Sequence, residues 1–149
     1  MTDIRFYHLE RQTLEQALPA LVTKAHEKGH RIVIQTPSAD ETQHLNNHLW
    51  TFHPSSFLPH GTNKEGNAEH QPIWITDTPE NPNNADVLIL TGGAQNDDVK
   101  DFTLCCDMFN GRDEAQVTQA RARWKQYKDE NHDVTYWQQS DKGWEKKAG

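Results

Sequence analysis

The residues best suited to chemistry lie in the segment QARARWKQYK, residues 119–128. Four of its side chains fall at i, i+3, i+4 and i+7, a spacing that places them on one face of a helix: Arg121, Trp124, Lys125 and Lys128. A solvated basic face has no need of a tryptophan, whereas an anionic partner with an apolar group would use both kinds of side chain. The pattern leaves two interpretations open, a solvated cationic face and a binding surface for such a partner.

A second candidate surface is the aromatic segment LWTFHPSSFLPHG, residues 49–61. Its large apolar side chains, including Trp50 and Phe57, cluster around Pro54 and Pro59. One interpretation is a loop held to the core by its aromatic side chains. The other is the wall of an apolar pocket, carried by a loop whose prolines restrict the backbone.

The sequence contains no motif for catalysis or for a cofactor. Gly92 and Gly93 follow the most apolar run of the chain, but they lack the third glycine of a dinucleotide-binding loop and the Gly-Lys-Ser/Thr of a P-loop. A plain turn is therefore favoured there. Because no Gly-x-Ser-x-Gly elbow is present either, we predict no catalytic residue and no cofactor-binding residue.

Histidines are frequent, but their spacing does not favour a metal site. His44 and His48 are four residues apart on a predicted helix, a spacing that can hold a metal. A leucine follows the first of them, so the His-Glu-x-x-His pattern is absent and two surface histidines are favoured. Three further histidines lie in a loop without a Cys or Asp at ligand spacing, and we predict them to be solvated: His53, His60 and His70.

Length and charge exclude several classes of protein. A chain of 149 residues predicts one domain. Its formal net charge of −7 excludes a generally basic nucleic-acid-binding protein, although it allows a local basic patch. The sequence has no apolar run of about 20 residues for a membrane span, and no signal peptide is evident at its start. The only cysteines, Cys105 and Cys106, are adjacent, which favours reduced apolar residues over a disulfide. These features predict a cytoplasmic protein.

The elements that must position these residues alternate between strands and helices. Strands are predicted over 4–9, 31–35, 73–76, 87–91, 102–109 and 133–138, with 87–91 in the centre of the sheet. Helices are predicted over 13–28, from Ser38 to about Pro54, and over 113–128; Thr13 caps the first, and Pro19 kinks it or displaces its start. The predicted fold class is α/β, a single three-layer Rossmann-like domain whose mostly parallel sheet is flanked by helices. It covers residues 1–139, and residues 140–149 are predicted to form a frayed tail.

Over nearly its whole length the sequence resembles the chi subunits of bacterial DNA polymerase III holoenzyme. The resemblance is carried by the opening FYHL, the GHRIVI and ADVLIL strands, the LWTFHPSSFLPHG segment and the ARARWKQYK helix. It implies an accessory subunit of the clamp-loader complex without catalytic activity of its own. It also implies two partners, the psi subunit and the acidic, Phe-ending C-terminal tail of single-stranded DNA-binding protein (SSB).

Transferred by position, the resemblance assigns six residues to the binding of the SSB tail: Arg121, Trp124, Lys125, Lys128, Trp50 and Phe57. Arg121 would pair with the terminal carboxylate or an Asp, and Trp124 and Trp50 would wall a pocket for the Phe. The lysines would attract the acidic stretch in a salt-dependent way. Val117 stands where the family often has a Lys, and Asn110 where it often has an apolar residue. No motif marks the psi-contacting surface, so no residue is assigned to it.

These observations predict a non-catalytic adaptor that couples the clamp loader to SSB, without a cofactor or metal. We expect no sequence-specific contact with nucleic acid and no membrane contact. The alternative is a nucleotide-binding or helicase-like α/β enzyme remnant, which a phosphate-binding loop or a metal pair would favour.

Overall fold

Seven strands form one sheet in the computed structural model, which describes residues 2–51, 59–140 and 143–148. In chain order they are β1 (Asp3–Leu9), β2 (Ile32–Gln35), β3 (Ile73–Thr76), β4 (Val87–Thr91), β5 (Leu104–Asn110), β6 (Asp133–Ser140) and β7 (Gly143–Ala148). Their spatial order is β3-β2-β4-β5-β1-β6-β7. All neighbours are parallel except β6 and β7, which are antiparallel.

Among these residues, three helices cover the sheet, and they are divided between its two faces. They are α1 (Leu14–Glu27), α2 (Ala39–Thr51) and α3 (Glu114–Asp129), and single turns of 3-10 helix lie at Ala68–His70 and Val99–Asp101. The apolar sides of α1 and α2 share one core with one sheet face, and that of α3 belongs to a second core on the other face. The predicted three-layer α/β fold is therefore confirmed. No helix among the described residues is long and apolar enough to cross a membrane.

Pro19 lies inside α1, and a histidine supplies the hydrogen-bond donor that the proline lacks. In a helix, residue 19 would donate its N–H to the carbonyl of Glu15, but proline has no N–H. His48 of α2 donates through Nε2 to that carbonyl instead, at 2.5 Å. His44, one turn earlier, places Nε2 3.0 Å from the Glu15 carboxylate. Both histidines therefore join α2 to α1, and no group of residues suited to a metal occurs in the described parts of the chain.

The C-terminal segment differs from the prediction of a frayed tail over 140–149. Residues 143–148 form β7, which pairs with β6. Trp144 packs edge to face on Tyr7, with ring centroids 4.9 Å apart, and burial of the indole stabilises the pairing. The prediction that residues 87–91 form the central strand is also wrong, because β5 occupies the centre of the sheet and β4 lies beside it. The strand β4 is nevertheless buried along its whole length, as its apolar run predicts.

Both cysteines of β5 are buried and unbridged, at 0% and 1% exposure for Cys105 and Cys106. Burial raises the pKa of Cys106 to about 12 and that of Cys105 well above its usual value. Thiols without a thiolate fraction are poor nucleophiles and metal ligands, so the pair serves as apolar packing.

Candidate binding site beside the third helix

A buried ion pair fixes α3 on the sheet. Arg123 of α3 donates to Asp107 of β5 through two hydrogen bonds, Nε to Oδ2 at 2.6 Å and a terminal nitrogen to Oδ1 at 3.1 Å. The two side chains are 4% and 1% exposed. Asp113 caps the helix by accepting from the backbone N–H groups of Ala115 and Gln116. Together, the ion pair and the helix cap fix the rotation of α3 about its own axis.

That rotation opens a cavity of about 250 Å³ between α3 and the sheet. The cavity is smaller than most ligand pockets of drug-sized molecules, and it suits a single large side chain. Apart from the polar groups of Arg121, Tyr136 and the Trp124 indole N–H, its walls are apolar. The lining residues are Phe6, Phe109, Val117, Ala120, Arg121, Trp124 and Tyr136.

The aromatic walls of the cavity hold one another in place. The Trp124 ring lies 5.7 Å from that of Phe6 and 6.1 Å from that of Tyr136, both in edge-to-face arrangements. Phe6 in turn contacts Phe109 at 6.4 Å. Tyr136 is further oriented by a hydrogen bond between its hydroxyl and Nδ1 of His8. Trp124 is therefore part of a preformed aromatic wall rather than a side chain on a solvated face.

One cation lines this cavity, and two more lie on the same helix near Trp124. Arg121 lines it directly, and Lys128 places Nζ 5.3 Å from the Trp124 ring centroid, within range of a cation–π interaction. Lys125 is exposed one residue beyond Trp124. Within residues 2–51, 59–140 and 143–148, none of the three cations forms an ion pair, so their charges are available to an anionic ligand.

The structure brings together only part of the predicted site. Arg121, Trp124, Lys125 and Lys128 share α3 as predicted, but Trp50 lies in the last turn of α2, on the opposite face of the sheet. The expectation that Trp50 and Trp124 wall one pocket is therefore wrong. Phe57 lies outside the described residues.

Trp50 forms a second exposed surface instead. Trp50 is 43% exposed, and its ring lies tilted against that of His60, with centroids 4.2 Å apart. The prediction that His60 is solvated is wrong, because it is 3% exposed and its Nε2 lies 3.2 Å from the carbonyl oxygen of Asn46. The histidine thus supports the tryptophan from below, and the loop is attached to α2 at this point.

Sequence reasoning missed the strand residues of the cavity. Phe6 of β1 and Tyr136 of β6 are cross-strand partners, and Phe109 lies on β5, on the other side of β1. In the sequence, Phe6 is more than 100 residues from the other two, and the strand order β5-β1-β6 brings all three together. Val117, which stands where the family often has a Lys, adds an aliphatic wall.

Acidic side chains line the edge of the sheet where α/β proteins usually bind nucleotides. Nucleotides bind outside the carboxyl ends of parallel strands, and a cavity of about 330 Å³ lies there, beside the turn at Gly92. Three carboxylates line it, those of Glu10, Glu15 and Glu41, against the single cation Arg112. Because carboxylates repel phosphate groups, this cavity does not support the enzyme alternative.

Comparison with known proteins agrees with the resemblance seen in the sequence. Residues 1–135 match the family model described as "DNA polymerase III chi subunit, HolC". The chain is similar to the probable DNA polymerase III subunit chi of Rickettsia prowazekii, with 34% identity over 90 residues that cover 60% of this chain and 54% of that protein. It is also similar to the DNA polymerase III subunit chi of Haemophilus influenzae, with 30% identity over 115 residues, 76% of this chain and 79% of that one. The alignment thus spans about half the length of the first relative and most of the second. The chain belongs to the family of DNA polymerase III chi subunits.

Proposed function

We propose that this chain is a non-catalytic replication subunit that joins the clamp loader of a cytoplasmic DNA polymerase III to SSB. In this role it binds the acidic C-terminal tail of SSB in the cavity beside α3 and the psi subunit on a separate surface. Its family membership supports the role in the polymerase. The observation that carries the tail-binding proposal is the aromatic cavity with an arginine at its mouth.

The chemistry of an acidic tail ending in Phe matches each part of this site. The terminal phenyl ring fills the cavity between Trp124 and Tyr136, where edge-to-face contacts are available. The terminal carboxylate accepts a forked pair of hydrogen bonds from Arg121. Preceding Asp residues are attracted by Lys125 and Lys128, and this part of the affinity weakens as salt is added.

A bridging protein must hold both partners at once, so it requires two surfaces that do not overlap. The sheet separates α3 from α2, and Trp50 is exposed on the α2 side. A large aromatic supported by a buried histidine is a typical anchor of a protein interface. We therefore assign the psi subunit to the surface around Trp50.

The tail-binding proposal is tested by fluorescence anisotropy with a labelled acidic peptide ending in Pro-Phe. Arg121→Ala removes a charge-assisted contact of about 1.5–3 kcal/mol and should weaken binding about 10- to 100-fold. Arg112→Ala is the matched control, because it removes an exposed arginine that does not line the cavity. A peptide without the terminal Phe should bind weakly to the unmodified protein. Equal affinities for the Arg121 and Arg112 variants would refute the assignment of the site.

A further inference from the structure

The helices leave part of one sheet face uncovered. On the face that carries α1 and α2, α1 packs mainly on β2 and β5, and α2 on β3. The strands β1, β6 and β7 beside them carry Tyr7, Trp137 and Trp144 on that side. Between these side chains and α1 lies a groove of about 330 Å³.

The three aromatic side chains form a layered platform in this groove. Tyr7 is 7% exposed and forms the floor, and Trp137 is its direct partner on the neighbouring strand. Trp144 packs edge to face on the Tyr7 ring. Both indoles are only half-buried, so each retains surface that a ligand can cover. Trp137 is also anchored, because its indole N–H donates to Thr135 at 2.9 Å.

The charge of the groove is opposite to that of the chain as a whole. The sequence has 22 acidic against 15 basic side chains, yet none of the described residues that line the groove is acidic. Two are cations, Arg5 and Lys24. Arg5 pairs with Asp3 at 3.1 Å but keeps 40% of its side chain exposed. Lys146, the exposed cross-strand partner of Trp137, adds a third cation at the edge.

We propose that this groove binds single-stranded nucleic acid without sequence preference, independently of the function proposed above. One or two bases stack on Trp137 and Trp144, and the adjoining phosphates contact Lys24 and Arg5. Aromatic side chains on neighbouring strands of an open sheet face, flanked by cations, are the general chemistry of single-strand binding. Two half-buried indoles on neighbouring strands can stack successive bases, whereas the cavity beside α3 suits a single side chain. Among the described residues, the groove and its edge offer only Arg5, Lys24 and Lys146 as cations, which limits the contact to two or three phosphates.

The test is fluorescence anisotropy of labelled dT20 with the full chain at low salt. We expect saturable binding that weakens with salt at a logarithmic slope of about −1.4 to −2, since each phosphate contact to a single strand contributes about −0.7. Trp144→Ala removes one stacking surface and should lower the affinity about tenfold. Lys24→Glu should lower it at least about threefold relative to the matched charge reversal Lys64→Glu. Lys64 is exposed and lies outside the groove.

Two further measurements distinguish base stacking in this groove from a loss of folding and from binding of the acidic peptide. Because Trp144 also packs on Tyr7, thermal melts are used to check that the Trp144→Ala protein is folded. Lys24 is exposed on α1, so Lys24→Glu tests the groove even if the Trp144→Ala protein unfolds. The labelled acidic peptide is titrated against the same variants, and unchanged peptide binding is expected. The proposal is overturned by absence of dT20 binding at low salt, by equal losses in Lys24→Glu and Lys64→Glu, or by groove variants that weaken the peptide instead of dT20.

Discussion

Replacing Arg123 with alanine should be among the most destabilising single changes in α3. The substitution leaves the Asp107 carboxylate without its partner at a position that is 1% exposed, where water cannot replace the two lost hydrogen bonds. Breaking a buried pair in this way costs about 3–5 kcal/mol. A domain of this size has a total stability of about 5–15 kcal/mol, so the loss removes a large fraction of it.

Urea denaturation followed by circular dichroism measures this loss as a shift of the midpoint at constant m. In thermal melts, 3–5 kcal/mol corresponds to a fall in Tm of about 6–20 °C. Arg121→Ala is the matched control on the same helix, because Arg121 is exposed and its removal should change stability by no more than about 0.5 kcal/mol. An Arg123→Ala loss below about 1 kcal/mol would show that the ion pair does not hold α3 in place.

The double substitution Asp107→Leu with Arg123→Met separates the charge from the packing. If the cost of Arg123→Ala comes from an unpaired buried charge, replacing both partners with apolar side chains should recover most of the stability. A double variant as unstable as Arg123→Ala would assign the loss to packing and refute the electrostatic reasoning. A variant in which α3 is loosened should also have a wider aromatic cavity, so peptide affinity is measured alongside stability.

Three other predictions concern separate parts of the molecule. Trp50→Ala should weaken binding of the psi subunit in titration calorimetry. Affinity for the SSB tail peptide should stay within about twofold, because the sheet separates the two surfaces. A parallel loss of both affinities would contradict two separate surfaces. Val117→Lys adds a cation one turn before Arg121 and should tighten tail binding about two- to fivefold at low salt, with no gain at high salt; a salt-independent gain would contradict an electrostatic origin. His48→Ala removes the hydrogen bond from His48 to the Glu15 carbonyl and should lower the free energy of unfolding by about 1–2 kcal/mol in urea denaturation. Adding Pro19→Ala should recover part of this loss, because alanine restores the backbone N–H of residue 19. Equal stability of the single and double variants would exclude this compensation.

The layered α/β architecture can be predicted from the sequence because each element carries a local signal. The alternating and continuous apolar runs become strands at the predicted places, and Thr13 caps α1 through a complete capping box with Gln16. The cationic face of α3 is equally visible, since its spacing needs only the helical period. Local patterns therefore indicate the elements and one half of the proposed tail site.

The remaining features depend on contacts between distant parts of the chain. Helical spacing places Arg123 on the face of Ala120 and Tyr127, but nothing local indicates its ion-pair partner, Asp107, which lies sixteen residues earlier on another element. The tail becomes β7 through the packing of Trp144 on Tyr7, at the opposite end of the sequence. Sequence reasoning groups Trp50 with Trp124 because the sequence does not show on which face of the sheet each helix lies.

The position of β6 between two aromatic sites limits the insertions and deletions that this strand can tolerate. Tyr136 and Trp137 are consecutive residues that point to opposite faces, one into the cavity beside α3 and the other into the groove beside α1. Inserting or deleting one residue early in β6 would exchange the two faces and remove the aromatic wall from both places at once. A two-residue change would keep each side chain on its own face and only displace it along the strand. Homologous chains should therefore differ in length at the turns on either side of β6 rather than between its first residue and Trp137.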